Sequence, residues 1–162
     1  FPTTIGVGAA TPSTSGSGVS FPATQSASTD ANTLDDYEEG TFTPTLAGGM
    51  SAGPSGYTTQ NGSYTKIGRF VYFTLTLDAN GATATGSIIK IGGLPFTCAA
   101  TYQGVASIPY QASFNTNSSD TYYVSPTDTE VQVYTNTGAD RLGNAAGVNI
   151  NAQIRLTGVY QV

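Results

Sequence analysis

The chain has 162 residues, enough for one domain with a sizeable core and too few for two ordinary ones. Only 9% of the residues are charged, the formal net charge is -5, and there is no histidine. That inventory excludes Ser-His and Cys-His nucleophile activation and removes the commonest metal ligand. Cys98 is the single cysteine, so no intrachain disulfide forms and stability has to come from packing or from association with other chains. With no base partner in the chain, Cys98 reads as a small core residue.

Residues 1–33 form a leader rich in Ser, Thr, Gly, Ala and Pro, with one Ile, two Val, two Phe and a single acid. This is too little apolar surface to offset the entropy of a packed unit, so the leader alone is expected to be disordered and to order only against other chains. The stretches "TTIGVG" and "GVSFPAT" read as brief extended segments suited to such docking. A chain that starts at Phe1 rather than Met is expected to be a processed piece or expressed fragment of something longer.

Half of the ten acids follow within a few residues: Asp30, Asp35, Asp36, Glu38 and Glu39, with no base before Lys66. Thr33 followed by Asp36 resembles a helix N-cap, acids over 35–39 suit the positive end of a helical turn, and Gly40 would end it. One short turn is expected there, hinging the leader to the body. Neighbouring carboxyls also raise acid/base chemistry of the glycosidase kind, which needs two of them facing one substrate bond. Crowded on one turn with only Tyr37 beside them, they read instead as solvated acids. From residue 40 onward Asp78, Asp120, Asp128, Glu130 and Asp140 balance Lys66, Arg69, Lys90, Arg141 and Arg155. A neutral body without a basic patch does not suit nucleic acid.

Beyond Thr41 the apolar period becomes two. In "RFVYFTLTLD" Val71, Phe73, Leu75 and Leu77 share one face, which predicts a half-buried strand. Shorter strands are predicted over 41–46, 57–60, 63–67, 87–91, 100–108, 121–125 and 130–134. Asn61-Gly62 predicts a hairpin turn, because both central residues of a type I′ turn need positive φ. Gly68 marks either a second turn or a bulge. The last segment alternates Val148, Ile150, Ala152, Ile154, Leu156, Tyr160 and Val162 with polar residues, and is expected to be a strand central to the sheet. Short strands at this spacing, with no crossover helix, predict an all-β antiparallel sandwich, jelly-roll-like, over 41–162, preceded by the leader and its acidic turn over 1–40. No stretch is long and apolar enough for a membrane-spanning helix, and no signal peptide is recognised, so membrane insertion is not expected.

Four strings in order carry a resemblance: Phe21-Pro22-Ala23-Thr24-Gln25, Leu34-Asp35-Asp36-Tyr37-Glu38-Glu39-Gly40-Thr41, Tyr64-Thr65-Lys66-Ile67-Gly68-Arg69 and Gly93-Leu94-Pro95-Phe96. Over residues 17–96 the chain resembles the C-terminal region of tail fibre and tailspike proteins of tailed bacteriophages. Phe42 stands where relatives commonly carry Trp. The resemblance implies a homotrimeric virion appendage, extracellular, that attaches the particle to bacterial surface polysaccharide or another outer-surface receptor. A carbohydrate-binding or trimer-capping module of a spike whose catalytic domain lies upstream is the alternative, and hydrolysis by this chain ranks below both.

Sugar rings pack on exposed aromatics and take hydrogen bonds from amides and carboxylates. The densest such inventory is "YQASFNTNSSDTYYVSPTD", with Tyr110, Asn115, Asn117, Asp120, Tyr122 and Tyr123 as candidate carbohydrate-binding residues. Against it, one of Tyr122 and Tyr123 should face the core of an ordinary strand, and Asn/Ser is common turn chemistry. Asp120, Asp128, Glu130 and Asp140 could offer oxygen to Ca²⁺ but lack the spacing and turn glycine of a dedicated loop. No metal or cofactor is expected.

Overall fold

A computed structural model describes residues 2–84, 90–102, 104–112, 120–135, 149–151 and 153–162. Among them are strands and turns and no helix, so the all-β class is as expected. In the leader, β1 (Thr4–Gly6) and β2 (Gly18–Ser20) pair with each other in parallel. The body contributes β3 (Tyr37–Phe42), β4 (Thr45–Ala47), β5 (Met50–Ala52), β6 (Gly56–Ile67), β7 (Phe70–Asn80), β8 (Ala82–Ala84) and β9 (Lys90–Gly92). It continues with β10 (Gly104–Ala112), β11 (Asp120–Val124), β12 (Val131–Thr135), β13 (Asn149–Ile150) and β14 (Gln153–Gln161). Nine strands form one antiparallel sheet in the order β3-β6-β7-β14-β10-β11-β12-β9-β4, and β13-β8-β5 form a small second sheet.

The large sheet curls because of one short connection. Its two edge strands, β3 and β4, are separated in sequence only by Thr43 and Pro44. Two residues bridge at most about 11 Å, so the edges must come close together and the two halves of the sheet face each other. Pro44 has no N–H to give to the β3–β6 ladder, which helps to end that pairing. Across the gap, the Leu46 N–H donates to Tyr57 Oη at 3.1 Å and Gln60 Nε2 donates to the Pro44 carbonyl at 2.9 Å. Gly93, at φ 90°, passes tight against this corner, where a Cβ would lie 2.4 Å from the Thr43 carbonyl oxygen.

The inner face is the core. Leu46, Ile91, Val131 and Val124 oppose one another in register on β4, β9, β12 and β11, Gly104 faces Val124, and Tyr160 faces Val71 on β14 and β7. All of these positions are buried. The next rows use rings to fill the space above glycines: Tyr64 lies across Gly40, Phe42 across Gly62 and Phe73 across Gly158. The rings then meet edge to face, Phe42 with Phe73 at 6.4 Å and Phe73 with Tyr160 at 5.8 Å between centroids. β14 lies between β7 and β10 with Ile154, Leu156 and Tyr160 buried, so the predicted final strand is central to the sheet from Gln153 onward, whereas Asn149–Ile150 pair with β8 in the small sheet.

Two local expectations fail. Asn61-Gly62 is not a turn, since β6 runs unbroken through it, with Gly62 opposite Phe42 on one side and Leu75 on the other. A glycine is required there for the Phe42 ring, and ladder pairing on both sides outweighs the local turn preference. The hairpin instead turns at Gly68-Arg69, with Gly68 at φ 54° in the first loop position, as a type II′ turn requires. The helical turn expected over the acids is also absent. Tyr37, Glu38, Glu39 and Gly40 are the first residues of β3, paired with Ile67, Lys66, Thr65 and Tyr64.

Candidate functional site

The acids at the leader's end have separate partners. Asp35 accepts from the Ser28 N–H at 2.7 Å and from Gln25 Nε2 at 3.4 Å, and the backbone hydrogen bond holds its carboxyl below the usual range. Asp36 is the correction to the solvated reading: it is 5% exposed and ion-paired with Lys66, itself 4% exposed. Lys66 Nζ also donates to Gln25 Oε1 at 3.4 Å and sits 5.8 Å from the centroid of the Phe96 ring. Glu38 accepts from the Tyr64 hydroxyl, which pushes the Tyr64 pKa up to about 12, and Glu39 accepts from Tyr37. Tyr64 in turn meets Phe96 edge to face at 5.3 Å. Gln25, Asp35, Asp36, Lys66 and Phe96 come from all four of the recognised strings, so a signature spread over the first 96 residues closes into one cluster where the leader joins the sheet.

The outer face carries the exposed candidates. Register places Asn61, Thr76, Arg155 and Tyr110 in one row across β6, β7, β14 and β10. Tyr110 reaches this face through a bulge. Ser107 opposes Thr157 and Tyr110 opposes Arg155, so Ile108 and Pro109 together face Leu156 alone. A bulge lets an inner strand hold a proline, and the extra residue turns Tyr110 outward where strict alternation from Ala106 would turn it inward. Tyr110 is half exposed, its ring lies 5.7 Å from the Arg155 guanidinium carbon, and its hydroxyl is 3.5 Å from Gln153 Oε1. Arg155 Nη1 donates to Asp78 Oδ1 at 2.7 Å. The result is an aromatic surface beside a neutralised ion pair and an amide.

The other predicted site residues are dispersed. Tyr122 is partly buried and packs against the core, the inward member of the pair, whereas Tyr123 opposes Val105 and donates to Gln132 Oε1 at 3.3 Å. Tyr110 lies five residues along β10 from Val105, roughly 15 Å from Tyr123 at strand rise. Asp120 begins β11, and Asn115 and Asn117 lie outside the described residues. Arg155, Asp78 and Gln153 were missed. The alternation of the last strand already placed Gln153 and Arg155 on its polar face, but their neighbour Tyr110 depended on the bulge.

Asp128 and Glu130 face a cation of their own. Lys90 Nζ is 3.7 Å from Asp128 and 2.5 Å from Glu130, and the hydrogen bond to Glu130 raises the lysine pKa. Among the described residues no three His, Cys, Asp or Glu side chains gather as metal ligands would. Cys98 is buried, which pushes its thiol pKa up, away from the reactive thiolate.

The fold is similar to that of part of a phage tailspike. The chain matches the crystal structure of the Dettilon tailspike protein with a TM-score of 0.53 and 15% sequence identity, over 77% of this chain and 24% of that one. The chain thus spans about a quarter of the length of the tailspike it matches. No protein-family model and no curated protein matches the sequence. Among the described residues no helix is long and apolar enough to cross a membrane.

Proposed function

We propose that this chain is a tip domain of a bacteriophage tail fibre or tailspike, a homotrimer on the virion that attaches the particle to bacterial surface polysaccharide or another outer-surface receptor. The tailspike fold over 77% of the chain carries this reading. The four strings that carry the resemblance meet in one leader-to-sheet cluster, which is consistent with it. The tip is a binding and structural module rather than an enzyme. Among the described residues, Asp35, Asp36, Glu38, Glu39, Asp78, Asp128 and Glu130 are each engaged by a hydrogen bond or cation within the chain, which suits structural roles for them. A second reading, a trimer-capping or carbohydrate-binding module of a larger enzymatic spike, is supported by the match to only 24% of the tailspike chain.

Receptor contact belongs on the outer face at Tyr110, with Gln153 and the Asp78–Arg155 pair supplying hydrogen bonds. Because that pair is neutral, binding to a neutral glycan should change little between low and high salt. Labelled protein on an array of bacterial surface polysaccharides, and on whole cells, tests this. The expected result is selective binding that falls at least about tenfold in Tyr110→Ala, the order of one lost aromatic contact. A folded trimer that binds none of the array and no cells would favour the capping module. Unchanged binding in Tyr110→Ala would move the site elsewhere.

A further inference from the structure

The outer face changes character along the strands. At the Tyr110 end it is polar, and its middle row is hydroxyl-bearing: Thr41, Ser63, Thr74, Thr157 and Ser107 oppose one another across β3, β6, β7, β14 and β10. At the end nearest the leader it is apolar. Tyr37, Ile67 and Phe70 form one row, and Tyr72, Val159 and Val105 the next. Ile67, Phe70, Tyr72 and Val105 are 40 to 62% exposed, on strands whose inner faces are already closed. Between Tyr72 and Val105 lies a shallow hollow of about 330 Å³ floored by Gly158. Contiguous apolar area of this kind marks an interaction surface.

We propose that this leader-proximal end of the outer face is where copies of the chain associate, a second copy of the same chain being its occupant. The inference rests on the homotrimer reading above and names the surface that would mediate it. Three observations select a second copy over an unrelated partner. First, from β6 to β10 the apolar rows hold no charged residue, Glu39 standing only at the β3 end of the Tyr72 row, so identical faces can meet around an axis without juxtaposing like charges. Second, the rim charges are complementary: Glu39 on β3 and the exposed Arg69 at the hairpin tip, which no ion pair engages among the described residues. Third, the leader enters the sheet through Tyr37 in the outermost apolar row, with the Phe21 ring 6.1 Å away. That leader exposes Ile5 and Val19, opposite each other in the β1–β2 pair, and also Val7 and Leu34. A partner would have to cover leader and face together, and another copy brings the same two surfaces in the same order.

Light scattering of the intact chain tests the surface. The parent and Asn61→Lys, at the polar end of the same face, should both have the mass of three chains. Tyr72→Lys combined with Val105→Lys should fall to the mass of one chain at micromolar concentration, with unchanged far-ultraviolet circular dichroism. Should the double variant fail to fold, hydroxyl-radical footprinting of the parent decides, with Phe70 and Tyr72 labelling several-fold more slowly than Tyr110. A folded double variant that remains trimeric, or labelling as fast at Tyr72 as at Tyr110, overturns the surface and leaves the homotrimer standing. A monomeric parent overturns the homotrimer first and the surface with it.

Discussion

The two faces of the curled sheet are built by the same strands in the same register, and they tolerate change very differently. On the inner face nearly every opposed pair is specified by shape, a ring over a glycine or an aliphatic side chain against another, with one buried ion pair at the leader's end. On the outer face, residues two positions away along the same strands differ in polarity from row to row without disturbing the layer beneath. A sheet of this construction can keep its fold while its surface chemistry is rewritten one row at a time.

The largest expected difference between the faces lies at two adjacent residues of β14. Ile154 is buried and Gln153 is exposed. Ile154→Asp loses about 1.5 to 3 kcal/mol of apolar burial and adds an unpaired buried carboxyl, more than a marginally stable domain withstands. It should prevent soluble expression, whereas Gln153→Asp should unfold in denaturant within about 0.5 kcal/mol of the parent. Equal midpoints would show that the faces are not distinct.

A smaller effect separates two neighbouring acids. Asp36→Ala strands a buried Lys66 ammonium and should cost about 3 to 5 kcal/mol by chemical denaturation. Asp35→Ala, at a partly exposed carboxyl that forms no ion pair among the described residues and accepts from the Ser28 N–H and Gln25, should cost much less. Comparable losses would mean that the ion pair is not the element that closes the leader onto the sheet.

The smallest effect is a pH dependence at the edge of the core. Tyr64 ionises at about 12 when folded, against 10.0 for an ordinary tyrosine, because its hydroxyl donates to Glu38. A folded pKa raised above the unfolded one contributes stability that is complete below pH 10 and is lost as pH rises through about 12. Denaturation midpoints should therefore decline across that window in the parent and decline less in Tyr64→Phe. Identical profiles would show that the loss across this window does not come from Tyr64.

Much of the inner face was legible in the sequence, because strict alternation survives wherever two ladders hold a strand. Val71 to Leu77 and Ile154 to Tyr160 needed no further information. Local chemistry misled wherever a distant partner decided the conformation. Asn61-Gly62 has the composition of a turn, but the glycine serves the Phe42 ring from another strand. Asp36 looks solvated until Lys66, thirty residues later, folds over it. Tyr110 was picked out by residue type alone, and the bulge at Pro109 that turns it outward breaks the alternation by which a face is read. Of its partners, Arg155 and Gln153 sit more than forty residues further along the chain, beyond the reach of any local pattern.

The position of β14 also governs the order in which the molecule can be made. It lies between β7 and β10, and its register runs from Gln153 opposite Asp78 to Gln161 opposite Phe70. Until residue 161 is available, β7 has an open edge and the sheet stays divided into two parts, with Phe73 and Leu77 lacking their neighbours. Such a topology postpones its most favourable contacts to the end of a long loop closure, which places folding on roughly the millisecond-to-second scale of non-local β proteins. During that interval the β7 edge can pair with the wrong strand, including the equivalent strand of another nascent chain, so in the proposed homotrimer assembly should follow, not precede, insertion of β14.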